Sequence, residues 1–407
     1  MSLQDQPTAT ADPPREAAIP AFVCQPGQAP HRHKVLLFIP HLQQGGAERQ
    51  ILALCARLPP NFEPILCVAD DRIHYADQLP PDQPRYIFGH RRMGLTTMRK
   101  LAAVLEKEKP EILHCYRDKA NFWGRLAARR AHVPVILTGV RNRAIGLLYL
   151  LTEWYLSRST DRVLTNSVGV VHELVRFARV KREKIQVLHN FIDLDQFHIP
   201  TPEQKREARA RFGLHDDEFA LLIPGRIGVQ KHHLGLVRAL GLLRRRGLLP
   251  PKLRVLAAGR LHGWLYAQLL RRYARWHGVA DRFEFMGAVK QMADLYRAAD
   301  TMVLPSLFEG MPNVVLEAQA SGLPVVVSHA ANLDGIVRDS ESGFEVPTCD
   351  GTALADALAK MFATSPEQRL HMGEAGRAHV ARTFSPERIL QETVNLYETL
   401  LAEKGIV

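Results

Sequence analysis

A chain of 407 residues with 46% hydrophobic content is long enough to bury two full cores, so two domains are the starting expectation. The formal net charge of +11 favours anionic partners such as nucleotides, lipid phosphates or acidic surfaces. Five scattered cysteines (Cys24, Cys55, Cys67, Cys115, Cys349) without C-x-x-C or a Cys/His cluster indicate neither a disulfide framework nor a structural zinc, and no apolar run reaches the roughly 18 residues that span a bilayer.

Residues 1–32, rich in Pro, Ala, Gln and Thr and without a secretory apolar core, are expected to be a disordered tail, which makes the chain cytosolic in this reading. From Lys34 the pattern changes. The apolar run Val35–Ile39 predicts a strand, then Ala47–Leu58 a helix and Ile65–Val68 a second strand. The alternation continues with strands at 85–88, 112–113, 135–137, 163–164 and 185–188, and helices near 98–107, 121–131 and 167–178. Strands apolar on both faces, alternating with helices, predict a parallel, doubly wound sheet. The segment Gly146–Leu156 (GLLYLLTEWYL) is too short to span a membrane and is expected to be a core helix. Pro200 and Pro202 mark a linker. The same alternation then repeats, with strands at 219–223, 253–257, 282–285, 301–304, 324–327 and 343–346. The expected domains are therefore 33–198 and 199–385, two α/β halves facing a cleft. The basic pairs and triplets Arg91-Arg92, Arg129-Arg130, Arg244-Arg245-Arg246 and Arg271-Arg272 carry no nucleic-acid module and are expected to be solvated helix faces.

The chemistry concentrates in the loops after strands. Leu307–Gly322 places Glu309 in a loop and Glu317 eight positions on, in a helix for which Asn313 is the expected N-cap. A helix start suits a phosphate, and flanking carboxylates suit hydroxyls on either side of it, as in a nucleotide sugar; two surface glutamates are the plainer alternative. Gly225, Arg226 and Lys231 follow a strand in the second half, and two cations in such a loop suit a diphosphate. Gly45-Gly46-Ala47-Glu48 sits between the first strand and helix, but no third glycine completes a dinucleotide fingerprint, so hydride chemistry is disfavoured even with Asp70 at the end of the second strand. His114 and Tyr116 end a strand at the cleft rim, and Thr138-Gly-Val-Arg141-Asn142 ends the next, a candidate acceptor loop.

The segment Glu309-Gly-Met-Pro-Asn-Val-Val-Leu-Glu317, followed by Gly322-Leu-Pro324, resembles the E-x7-E signature of the retaining glycosyltransferases of family four, which have the GT-B fold. The resemblance extends from Lys34 to Leu401, through the GGAE loop, the Arg226/Lys231 loop and a closing helix, FSPERI to LY, that returns with 386–407 to the first domain. It implies a transferase that moves a hexosyl group from a UDP- or GDP-sugar to a hydroxyl of a glycan or lipid-linked acceptor. It also implies catalysis by Arg226, Lys231 and Glu309, and donor contacts from Gly46, Gly225, Gly310, Met311, Pro312, Asn313, Val314 and Glu317. Ala288 and Val289 would meet the base, and His114, Tyr116, Arg141 and Asn142 would meet sugar or acceptor. Relatives commonly carry a second histidine where this chain has Tyr116. Asp193-Leu-Asp195 stands inside the family's interdomain block, so no essential metal and no cofactor is expected beyond the nucleotide sugar. Peripheral contact with an anionic membrane fits the charge, and nucleic acid is not an expected partner. The alternatives are a nucleotide-sugar 2-epimerase of the same fold or a non-catalytic sugar-nucleotide-binding protein.

Overall fold

The computed structural model describes residues 31–43, 46–73, 79, 82–141 and 147–406. The first half runs β1 (His33–Ile39), α1 (Gly46–Arg57), β2 (Phe62–Val68), β3 (Arg85–Ile87), α2 (Leu95–Glu108), β4 (Ile112–Tyr116), α3 (Asp118–Arg130), β5 (Val135–Val140), α4 (Leu147–Leu156), β6 (Arg162–Thr165), α5 (Val168–Arg176) and β7 (Ile185–Val187). The second half runs α6 (Pro202–Arg211), β8 (Phe219–Pro224), α7 (His233–Arg245), β9 (Leu253–Ala258), α8 (Trp264–Trp276), β10 (Phe283–Gly287), α9 (Met292–Ala298), β11 (Thr301–Leu304), α10 (Asn313–Ala320), β12 (Val325–Ser328), β13 (Gly343–Val346), α11 (Gly351–Ala363), α12 (Pro366–Thr383) and α13 (Pro386–Glu403). Two parallel sheets result, ordered β3-β2-β1-β4-β5-β6-β7 and β10-β9-β8-β11-β12-β13.

Period-two alternation explains why each sheet is covered on both faces. Val35, Leu37 and Ile39 of β1 pack with Ile51 and Leu52 of α1 and with Val394, Tyr397 and Leu400 of α13. Leu36 and Phe38, pointing the other way, pack with Leu101 and Leu105 of α2 and Ala120 and Ala127 of α3. In the second half Leu221 and Ile223 of β8 face α7 and α11, while Ala220 and Leu222 face α9 and α10. Fully burying each such Leu, Ile or Phe stabilises the fold by about 1.5–3 kcal/mol, which is why an apolar run too short for a helix settles as an interior strand. The chain therefore crosses back at its end, and α13 completes the first core.

Several expectations need correction. Ile192 and Phe197 are buried in the second core, so the change of lobe falls near residue 190 rather than at 198. The strand at 112–113 runs on through His114 to Tyr116, because Cys115 and Tyr116 pair with Thr138 and Gly139 of β5. α9 was not foreseen, since its seven residues are shorter than the apolar periodicity needs to declare itself. α4 is not a core helix: Leu151, Trp154 and Tyr155 are exposed. It lies in one layer, packed through Tyr149 and Leu150, and it is fastened by a buried ion pair in which Arg125 donates to Glu153 at 2.6 and 3.0 Å. No helix among the described residues is long and apolar enough to cross a membrane. The four arginine clusters are exposed, as expected for solvated surface.

Candidate active site

Strand order reverses direction between β1 and β4 in one sheet and between β8 and β11 in the other. At such a point two neighbouring strands send their following loops to opposite faces, and the crevice at their C-terminal ends is where ligands collect in open α/β sheets. This explains how loops far apart in sequence meet. After β8 comes the Gly225–Lys231 loop, after β11 the Leu307–Gly310 loop, and the backbone N–H of Leu307 donates to the Gln230 carbonyl at 2.9 Å.

Across that seam the Lys231 ammonium donates to Glu309 Oε1 at 2.7 Å, and Gln230 Nε2 donates to Oε2 at 3.2 Å. Both charged side chains are nearly withdrawn from water, at 13% and 8% exposure, so the pair acts in a medium where a charge is felt strongly. Gly225 has φ +114°, and a Cβ there would lie 2.6 Å from Lys231 Cε, so only glycine lets the lysine fold back over the turn. Arg226 stands exposed on the same loop.

The helix that follows begins one residue earlier than expected. Its N-cap is Pro312, which offers no side-chain acceptor, and Asn313 is the first helical residue. Freed from capping, the Asn313 side chain accepts from Asn190 Nδ2 at 2.7 Å, and Asn190 Oδ1 in turn accepts from Arg141 Nη1 at 2.7 Å. Met311 is buried with its sulfur 3.2 Å from the Asn190 backbone N–H, and Pro312 is buried beside it. Gly310 approaches the other lobe so closely that a Cβ would lie 2.8 Å from the Arg141 carbonyl oxygen. Val314 packs on the second core, as does Val289, while Ala288 beside it is exposed on the loop after the edge strand β10.

Glu317 is buried in α10 and doubly held. Arg49 of α1 donates to Oε1 at 3.0 Å from across the cleft, and the Tyr296 hydroxyl of α9 donates to Oε2 at 2.9 Å. Neither partner was predicted; Arg49 directly follows the GGAE run and could have been read from it, whereas nothing in sequence links Tyr296 to Glu317. Gly46 opens α1.

On the first lobe, Arg141 lies over the Tyr116 ring at 5.1 Å, and Tyr116 stacks on His114 at 4.2 Å. His114 is turned to the core: its Nδ1 is 2.8 Å from the Tyr397 hydroxyl of α13. Burial, reinforced by the Arg141 charge, pushes the His114 pKa down to about 3, so the imidazole is neutral. Burial raises the Tyr116 hydroxyl and lowers the Arg141 guanidinium. His114, Tyr116 and Arg141, with Gln50, Thr165 and His189 and with Ile389 and Thr393 of α13, line a cavity of about 40 Å³ within the first lobe. Asn142 lies outside the described residues. Asp193 Oδ1 accepts from the backbone of Asp195 and Gln196, so this carboxylate shapes the turn between lobes.

Residues 44–196 match the family model for Glycosyltransferase Family 4, and residues 204–379 that for Glycosyl transferases group 1. A D-inositol 3-phosphate glycosyltransferase of Streptomyces scabiei is 32% identical over 304 residues, 70% of this chain and 67% of that protein. The chain belongs to the family-four glycosyltransferases. It is a transferase enzyme of GT-B fold, and its wider likeness agrees. An Escherichia coli UDP-Gal:alpha-D-GlcNAc-diphosphoundecaprenol alpha-1,3-galactosyltransferase is 26% identical over 312 residues, covering 75% of this chain and 79% of that protein. Anabaena HepE in complex with UDP and glucose superposes with a TM-score of 0.77 at 18% identity, covering 90% of this chain and 100% of that one. WaaG, a glycosyltransferase involved in lipopolysaccharide biosynthesis, superposes at 0.66 and 16% identity, covering 89% and 99%. These last two show the fold of this glycosyltransferase.

Proposed function

We propose that the enzyme transfers a hexosyl group from a UDP-sugar, with retention at the anomeric carbon, to a hydroxyl of a lipid-linked, phosphate-bearing acceptor. The observation that carries this reading is the seam at the β8/β11 reversal, where Lys231, Glu309, Gly225 and the start of α10 come together. A departing diphosphate at that seam would be stabilised by Arg226, Lys231 and the positive end of the α10 dipole, so no metal is required for charge neutralisation. Glu309 faces the transferred sugar. Glu317 accepts from the ribose hydroxyls once the donor displaces Arg49. The base lies against Ala288 and Val289.

In the transfer step the acceptor oxygen attacks the anomeric carbon from the face the diphosphate leaves. The new C–O bond forms as the bond to the phosphate oxygen breaks, and the acceptor proton passes to a phosphate oxygen. Positioning and electrostatics then supply the acceleration, with no protein nucleophile.

The acceptor assignment is supported on the first lobe by Arg141, whose bonded partner Asn190 is neutral. It is also supported by the likeness to the Escherichia coli enzyme, whose acceptor is named as a diphosphoundecaprenol. The exposed Leu151, Trp154 and Tyr155 of α4 and Val175 and Phe177 near α5, with Arg158 over Trp154 and Arg176 over Phe177, suit peripheral contact with the inner face of an anionic membrane. Hydrolysis and transfer across a panel of nucleotide sugars, with the product anomer read by NMR, test the proposal: retained configuration from a UDP donor is expected. Inverted product would remove the same-face mechanism, and conversion of donor alone to its 2-epimer would replace the transferase by the epimerase.

A further inference from the structure

The end of the first-lobe sheet that faces away from the cleft brings together three side chains that the transfer reaction does not use. β1 begins at His33 beside β4, Val35 pairing with Ile112 in parallel register. Glu111 immediately precedes β4, and the stretch His31-Arg32-His33 leads into β1, so alternation turns both histidines to one side. His31 Nε2 lies 2.9 Å from Glu111 Oε1, and His33 Nδ1 lies 4.0 Å from the same oxygen.

Two features distinguish this arrangement from a simple surface ion pair. The other carboxylate oxygen, Oε2, accepts the backbone N–H of Lys34 at 2.8 Å, which fixes the carboxylate plane and aims Oε1 between the two imidazoles. His33 Nδ1 is buried and has no hydrogen-bond partner, although its ring is braced against Phe62 at 5.8 Å. A buried ring nitrogen without a partner is costly, and a pairing of His31 with Glu111 alone leaves it unexplained. The three donor atoms lie within 4.8 Å of one another. A tetrahedral ion bonded at about 2.0–2.2 Å needs its donors about 3.4 Å apart, so the His31–Glu111 pair at 2.9 Å has to open and the His33–Glu111 pair at 4.0 Å to close, each by about half an ångström.

We propose that His31, His33 and Glu111 form a site for a divalent transition metal. The two imidazoles, borderline ligands, favour Zn²⁺ over Mg²⁺, and the carboxylate completes a donor set that zinc accepts, with water in the remaining position. The backbone bond from Lys34 orients the carboxylate ligand. Because β1 spans about 20 Å from His33 to the cleft end, the ion is remote from the transferred sugar and acts on the fold. It ties the entry of the chain into β1 to the start of β4, 80 residues further on. This separation is also why inspection of ligand spacing in the sequence misses it.

The test uses the full-length, untagged chain, freed of metal by a chelator and titrated with Zn²⁺ by calorimetry and by thermal melting. A single saturable Zn²⁺ site and a raised melting temperature are expected, with no shift on adding Mg²⁺. His31→Ala, a change at a side chain 65% exposed, should weaken Zn²⁺ binding at least tenfold and remove the melting shift while leaving metal-free transferase activity unchanged. Glu111→Gln should weaken it similarly. The assignment is overturned if the native chain shows no saturable site, if Mg²⁺ shifts melting equally, or if both variants bind Zn²⁺ as the native chain does, which would put the ion elsewhere.

Discussion

Replacing Lys231 with methionine tests the charge at the centre of the proposed mechanism with little change in shape. The methionine keeps an apolar stem against Gly225, where the lysine chain packs, and removes only the ammonium. In a site this withdrawn, one unit charge about 4 Å from a developing oxyanion contributes on the order of 4 kcal/mol at an effective dielectric of about 20. Removing a preorganised donor of this kind lowers turnover by about 10²–10³. Because the diphosphate gains charge as it leaves, the loss belongs in kcat, with the donor KM changing by less than about tenfold. The change also strands Glu309, 6% exposed, with Gln230 as its remaining hydrogen-bond partner, so urea unfolding should show a loss of about 1–3 kcal/mol. Adding Glu309→Gln should recover part of that stability and none of the turnover. Steady-state kinetics with UDP release as the readout decides the matter. A folded Lys231→Met enzyme with kcat within about threefold of the parent would show that the ammonium does not assist departure, and the mechanism would have to be rebuilt around other groups.

Four further outcomes are expected. Gly310→Ala forces a methyl group against the Arg141 carbonyl oxygen, where no side chain can yield, so the lobes close less fully at a cost of about 1–3 kcal/mol. Its kcat/KM should fall roughly 5–100-fold at unchanged circular dichroism, and an active, unperturbed variant would contradict the close approach. Arg141→Ala should raise acceptor KM about tenfold or more and leave donor KM within twofold; the reverse pattern would move Arg141 to the donor side. His114 and His233 have pKa values lowered by burial to about 3 and about 4, so the unfolded chain takes up their protons first. Their contribution is complete above about pH 6.5 and is lost as pH falls towards 4. Between pH 7 and pH 5 each should remove about 2 kcal/mol of unfolding free energy, and an unfolding midpoint flat across that range would refute the buried neutral assignment. Finally, Tyr155→Asp should reduce co-sedimentation with anionic vesicles while sparing transfer to a soluble acceptor analogue; unchanged sedimentation would take α4 out of any membrane contact.

Most of the architecture could be read from the chain alone because its signals are local. Apolar runs of strand length can be buried on two faces only inside a helix-covered parallel sheet, so Val35–Ile39 and Thr301–Leu304 declare their place without tertiary information. The glycine and the basic residues after β8, and the two glutamates around the start of α10, were likewise visible as positions in strand-following loops. What sequence could not supply was which partner each side chain meets. The pairing of Lys231 with Glu309, the grip of Arg49 and Tyr296 on Glu317, and the chain of bonds from Arg141 through Asn190 to Asn313 all join residues from different loops or lobes. His114 could be placed at a strand and the closing helix expected back on the first lobe, but that His114 turns to Tyr397 is decided by packing between residues 283 positions apart. Local periodicity determines which segments become strands and helices. The reversal of strand order and the return of the chain's end decide which loops share a crevice, and that is a property of packing between distant segments rather than of any one of them.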